Sequence, residues 1–112
     1  MNIVVEEQKG IQFIRINGRL DGTTMQIVEG EFLELVNKGS KFFVFDLSEL
    51  EYISSAGLRV MLLSVKKTRA AGGKIALFGL NENVNEVFKI SGFSTIFPIF
   101  QTEEEALKFA AS

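Results

Sequence analysis

The chain has 112 residues, 46% of them hydrophobic and 23% charged, with a net charge of -2. That is enough to bury a core as one domain without staples, and the balance excludes disordered and collagen-like compositions. No basic block supplies the footprint of a nucleic-acid binder. With neither cysteine nor histidine, disulfide frameworks, thiol nucleophiles, most zinc sites and every Ser-His or Cys-His arrangement are excluded.

Residues 1–10, MNIVVEEQKG, lack the basic start and long apolar run of a signal peptide. No apolar run is long enough to span a bilayer, so the cytoplasm is the expected location. The runs IVVEE and IQFIRI, separated by QKG, predict an opening β-hairpin. Met25, Val28, Phe32, Leu35 and Val36 then recur at spacings of three and four, with Gln26, Glu29, Glu31, Glu34 and Lys38 between them. This is the pattern of a helix, ending near Gly39. KFFVFDLS has apolar residues in succession, as a central strand covered on both faces would.

The next helix carries an inward stripe of Leu58, Met61, Leu62 and Val65, with Lys66, Lys67 and Arg69 near its end and AAGG stopping it. KIALFGL predicts a strand, ENVNEVFKISG a short helix, TIFPIF a strand that Pro98 confines to an edge, and TEEEALKFA a last helix capped by Thr102. The order β-β-α-β-α-β-α-β-α predicts an α/β fold: a mixed sheet of four to five strands, antiparallel in its opening hairpin and otherwise mainly parallel, with helices packed on it. Residues 1–112 are expected to form a single domain.

Three superficial motifs carry little. GGK at 72–74 is followed by Ile75 and precedes a strand, the reverse of a phosphate-binding loop. Asp46, at the end of a buried strand, lacks the acidic pair and lysine that a receiver domain requires, so a turn or cap role is expected of it. Glu103, Glu104 and Glu105 occupy a first helical turn, where they favour the dipole. No catalytic or metal-ligating constellation converges, so no enzyme activity, cofactor or metal is expected.

The informative stretch is EYISSAGLRVMLLSVKK, residues 51–67, where two serines, an alanine and a glycine stand between a strand and an amphipathic helix. Free N–H groups begin such a helix, and Ser54 or Ser55 can supply the capping oxygen. A phosphate would also be accommodated there, adding about -1.5 to -2 charges beside a surface that Ala56 and Gly57 keep low.

The stretch FFVFDLSELEYISSAGLRVMLLSVKKTRAAGGKIALFGL resembles the anti-sigma factor antagonists of the STAS domain family, and the likeness extends over nearly the whole chain. INGRLDGTT resembles that family's loop between the second strand and first helix, and SGFSTIFPIFQTEEEALKFA its C-terminal strand and helix. In the family, the serine two residues before the glycine is phosphorylated by a cognate anti-sigma serine kinase. That position is Ser55, with Ser54 the second choice; the best-known members carry Asp where this chain has Ser54.

The resemblance implies partner switching. The unphosphorylated protein docks on its anti-sigma factor kinase, phosphorylation ends the docking, and a PP2C-type phosphatase restores the active form. It also implies partner contacts at Arg19, Asp21, Thr23 and Thr24 in the first loop, and at Ser54, Ser55, Gly57, Leu58 and Met61 around the switch. Plain turn chemistry competes in the loop: Gly18, Asp21 and Gly22 are turn formers, and Thr23 or Thr24 can cap the following helix. Arg59 projects away from the apolar stripe, at an interface or in solvent. Two alternatives remain, a nucleotide- or small-ligand-binding module, and a non-switching subunit scaffolding a transporter or sensory assembly, in which both serines are caps only.

Overall fold

A computed structural model describes residues Met1–Ser112. In chain order the elements are β1 (Asn2–Gln8), β2 (Ile11–Leu20), α1 (Met25–Asn37), β3 (Phe42–Asp46), β4 (Leu50–Ile53), α2 (Ser55–Ala70), β5 (Lys74–Phe78), α3 (Glu82–Ile90), a 3-10 turn (Phe93–Thr95), β6 (Ile99–Phe100) and α4 (Glu103–Ala111). The sheet runs β1-β2-β3-β5-β6, with β4 added beside β2. Only the β1/β2 pair is antiparallel. Lys9 and Gly10 close that hairpin with φ of 51° and 84°, the left-handed pair that a two-residue hairpin loop needs.

β2 is long enough to pair with β3 and β4 in succession, besides β1. Its first half, Ile11 to Arg15, pairs with β3; beyond a register shift at Gly18 and Arg19, its last residues pair with β4, Arg19 opposite Tyr52 and Leu20 opposite Ile53. Gly18, at φ of 102°, turns its N–H to the carbonyl of Glu49 at 3.0 Å.

The sheet therefore has six strands, where the sequence reading counted four to five. The extra strand is Leu50–Ile53, which follows the turn at Leu47–Glu49 and buries only its two ends, Leu50 and Ile53. TIFPIF contributes less strand than expected, because Phe93–Thr95 coil into the 3-10 turn and only Ile99 and Phe100 pair with β5. The expected edge position of this segment and the central position of β3 are both found.

Alternation of side chains across the pleat gives the sheet two apolar faces. On one, α1, α2 and α3 cover the larger core, where Phe32 packs tilted at 4.8 Å from Phe43 and Phe88 packs edge-on at 5.6 Å from Phe97. On the other, Ala106 and Ala110 of α4 lie over Ile11, Phe13, Val44, Ala76 and Phe78. Thr102 starts α4 as expected, in a reciprocal capping box with Glu105.

The buried face of α2 comprises Gly57, Val60, Met61, Ser64, Val65 and Thr68, with Leu58 and Leu62 only half-buried. This face is rotated from the expected stripe because two polar residues point inward. Each satisfies its hydroxyl locally, Ser64 donating to the carbonyl of Val60 at 2.9 Å and Thr68 to that of Ser64 at 2.8 Å. No helix is long and apolar enough to cross a membrane.

Candidate functional site

The β2/β4 pairing brings the two candidate segments together. β2 ends at Leu20, whose carbonyl accepts the N–H of Ser54 at 2.9 Å. The loop after β2 and the start of α2 are thus neighbours at the carboxyl ends of two parallel strands, where open α/β sheets commonly place their sites.

The loop is held by its own side chains. Asp21 accepts the Thr23 N–H at 2.9 Å and the Thr23 hydroxyl at 2.7 Å, and its backbone carbonyl receives the N–H of Met25. Thr24 accepts the N–H of Asp21 at 3.0 Å and donates its hydroxyl to the carbonyl of Arg19 at 2.8 Å. Thr24 occupies the N-cap position of α1, one of the two residues expected there, but its side chain makes no capping hydrogen bond, because its hydroxyl is used in closing the turn ahead of the helix. Hydrogen bonds from Thr23, helped by the Arg19 charge, hold the Asp21 carboxyl below the usual carboxylate range. Arg19 lies 3.6 Å from the Asp21 carboxylate and its guanidinium stacks 4.2 Å over the ring of Tyr52.

At the start of α2 the two serines part company. Ser54 is extended, with φ of -96° and ψ of 176°, and its hydroxyl oxygen accepts the N–H of Gly57 at 3.3 Å. It is the helix cap. Ser55 is the first helical residue, exposed, and its side chain makes no hydrogen bond with the rest of the protein. Of the two capping choices left open by the sequence, the structure selects Ser54 and leaves the Ser55 hydroxyl free.

Two expected contact residues face the wrong way. Met61 is fully buried in the larger core, so it supports the helix from beneath and cannot touch a partner. Gly57 is also buried; a Cβ there would meet the Leu20 carbonyl oxygen at 2.6 Å and Ile53 Cγ1 at 2.8 Å. Its glycine is required by the close approach of α2 to the ends of β2 and β4, not by a partner's approach. Leu58 is half-buried against the same core, while Arg19 and Thr23 are exposed and Asp21 and Thr24 partly so.

The surface also includes residues that the sequence reading passed over. Met1, Glu51, Arg19, Asp21, Thr23 and Thr24 line a concavity of about 360 Å³, and Tyr52, 41% exposed, stands beside it under Arg19. No periodicity in the sequence announces Glu51 and Tyr52: residues 50–53 are buried only at their ends, Leu50 and Ile53, and become a strand by pairing with β2.

Asp46 lies apart from this surface and has the turn role expected of it. Its carboxylate accepts the N–H and hydroxyl of Ser48 at 3.0 and 2.6 Å, and pairs with Arg15 at 2.9 Å. Burial would push this carboxyl up, but the Ser48 and Arg15 contacts together outweigh it and hold it below the ordinary range. No group of three or more acidic side chains is placed to hold a metal ion. The Ser55 surface offers instead an exposed hydroxyl at the start of a firmly hydrogen-bonded helix.

Comparison with known proteins agrees with this geometry. Residues 2–106 match the STAS domain. BtrV of Bordetella bronchiseptica, a candidate anti-sigma factor antagonist, is 39% identical over 95% of this chain and 91% of its own. The anti-sigma F factor antagonist of Paenibacillus polymyxa is 30% identical over 96% of this chain and 92% of its own. Among solved structures, a candidate anti-sigma factor antagonist of Thermotoga maritima superposes with a TM-score of 0.93 at 25% identity, covering 98% of this chain and 95% of that one. A chain with this sheet, this serine junction and these relatives belongs to the STAS domain family, among its anti-sigma factor antagonists.

Proposed function

We propose that this protein is the phosphorylation-controlled member of a partner-switching circuit. Unphosphorylated, it docks on an anti-sigma serine kinase through the surface formed by the 19–24 loop, Tyr52 and the start of α2, and so frees whatever that kinase restrains. Phosphate on Ser55 ends the docking, and a PP2C-type phosphatase renews it. The role is regulatory, exercised in the cytoplasm by residues 1–112 acting as one unit. Support for an anti-sigma partner comes from the names of the sequence relatives.

The observation that carries the proposal is the division of labour between the serines: Ser54 is tied to Gly57 as the cap, and Ser55 is exposed and free. A kinase can therefore take the Ser55 hydroxyl without unwinding the helix, whereas Ser54 would have to surrender its capping bond. Where the best-known members of the family carry Asp this chain has Ser54, and both residue types cap helices well.

The added charge of about -1.5 to -2 on Ser55 must be stripped of water if the surface stays docked, which is the physical reason for release. The test is to incubate the protein with the anti-sigma kinase encoded in the same genome and ATP, then map the product by mass spectrometry. One phosphate is expected, on Ser55, in wild type and in Ser54→Ala, and none in Ser55→Ala. Phosphate on Ser54 alone, or none with a kinase shown to be active, overturns the proposal.

A further inference from the structure

Arg59 has no place in the docking scheme above, yet helical geometry sets it beside Ser55. Both residues lie in α2, four positions apart, and both are exposed. Side chains so spaced share one face of a helix with Cβ atoms about 5–6 Å apart, and an acid preceding a base by four is the favourable order. Arg59 takes part in none of the ion pairs, which join Arg15 to Asp46, Arg19 to Asp21 and Lys38 to Glu34. Three further cations are engaged elsewhere or distant along the helix. Arg19 is held by Asp21 and Tyr52, and Arg69 donates to the Ile96 carbonyl at the far end of the helix. Lys66 is eleven residues from Ser55 in the same helix, about 16 Å along its axis.

We infer that Arg59 clamps the phosphate carried by Ser55, its guanidinium engaging the phosphate oxygens along the outer face of α2. The inference rests on Ser55 being the acceptor. Arg is the side chain best matched to such an oxyanion, with planar N–H groups that can bind two oxygens at once. Phosphorylation then changes the docking surface twice over, adding a bulky anion at Ser55 and withdrawing the free cation of Arg59.

The test installs phosphoserine at position 55 during synthesis, so that it does not depend on any kinase and its failure is separate from a failure of the kinase experiment. Phosphorus NMR then follows the second ionisation of the phosphate, ordinarily near pH ~6, in the wild-type, Arg59→Gln and Arg59→Lys proteins. The wild-type midpoint is expected to lie roughly 0.2 to 0.4 pH units below that of Arg59→Gln, the scale of an i, i+4 ion pair. Lysine should restore most of the difference, and 1 M salt, with a Debye length of ~3 Å, should collapse it. Equal midpoints for wild type and Arg59→Gln overturn the clamp. So does a difference that lysine fails to restore and salt fails to reduce.

Discussion

Replacing Gly57 by alanine should destabilise the protein, although the same exchange ordinarily strengthens a helix. Alanine is favoured over glycine in helix interiors by about 1 kcal/mol. Against this, the new Cβ would lie 2.6 Å from the Leu20 carbonyl oxygen and 2.9 Å from Leu20 Cγ, so the helix start must move by more than half an ångström. Leu20 cannot give way freely, since its carbonyl also holds the N–H of Ser54 at 2.9 Å. Overpacking of this kind costs ~1 to 3 kcal/mol, and a backbone obstacle puts the cost at the upper end. The net loss should be ~1 to 2 kcal/mol, lowering Tm by roughly 5 to 15 °C at about 4 to 8 °C per kcal/mol. Gly30 provides the control. It lies inside α1 with nothing within 4 Å of its would-be Cβ, and Gly30→Ala should raise stability by ~0.5 to 1 kcal/mol. Thermal melts and urea titrations of the two variants beside wild type measure both effects. If Gly57→Ala proves as stable as wild type, the tight seating of α2 on β2 and β4 is wrong, and with it the account of how Ser55 is presented.

Ser54→Ala should lose the capping bond to Gly57 and ~0.5 to 2 kcal/mol of stability, with Ser54→Asp restoring most of it; equal stability of all three in urea titrations would remove Ser54 from the capping role. Ser55→Asp should stay folded, because it alters only an exposed side chain at the helix start, while weakening binding to the partner kinase by tenfold or more; unchanged affinity by calorimetry would favour the non-switching scaffold. Asp46 predicts a pH dependence. Its folded pKa lies below the unfolded value, so the stability it contributes is present above the unfolded carboxylate pKa of about 4 and is lost as pH falls through the lower folded value. Urea midpoints should therefore decline below about pH 4, and less steeply in Asp46→Asn; matching acid profiles for the two proteins would refute that role.

Much of this architecture is written in local patterns. The Lys9-Gly10 hairpin, the 3.6-residue rhythm of Val28 and Phe32, the doubly apolar run at Phe42–Asp46 and the Thr102 cap each depend on neighbours within a few positions, and residue chemistry alone determines them. The serine junction was legible in the same way, as a polar break between a strand and an amphipathic helix. Long-range contact decided the rest. Leu50–Ile53 is a strand because β2 runs past the end of β3 and offers Gly18–Leu20 as a partner, and four residues have no periodicity that could announce it. Ser64 and Thr68 face the core because α2 seats on the sheet with that side inward, which reverses what polarity implies, and their hydroxyls are satisfied by bonding back along the helix. Whether Ser54 or Ser55 caps α2 is equally undetermined by composition, since both are serines. The depth at which Gly57 lets the helix settle on Leu20 and Ile53 accompanies the Ser54 N–H bond to Leu20, and that bond joins residues 34 positions apart through the packing of the sheet.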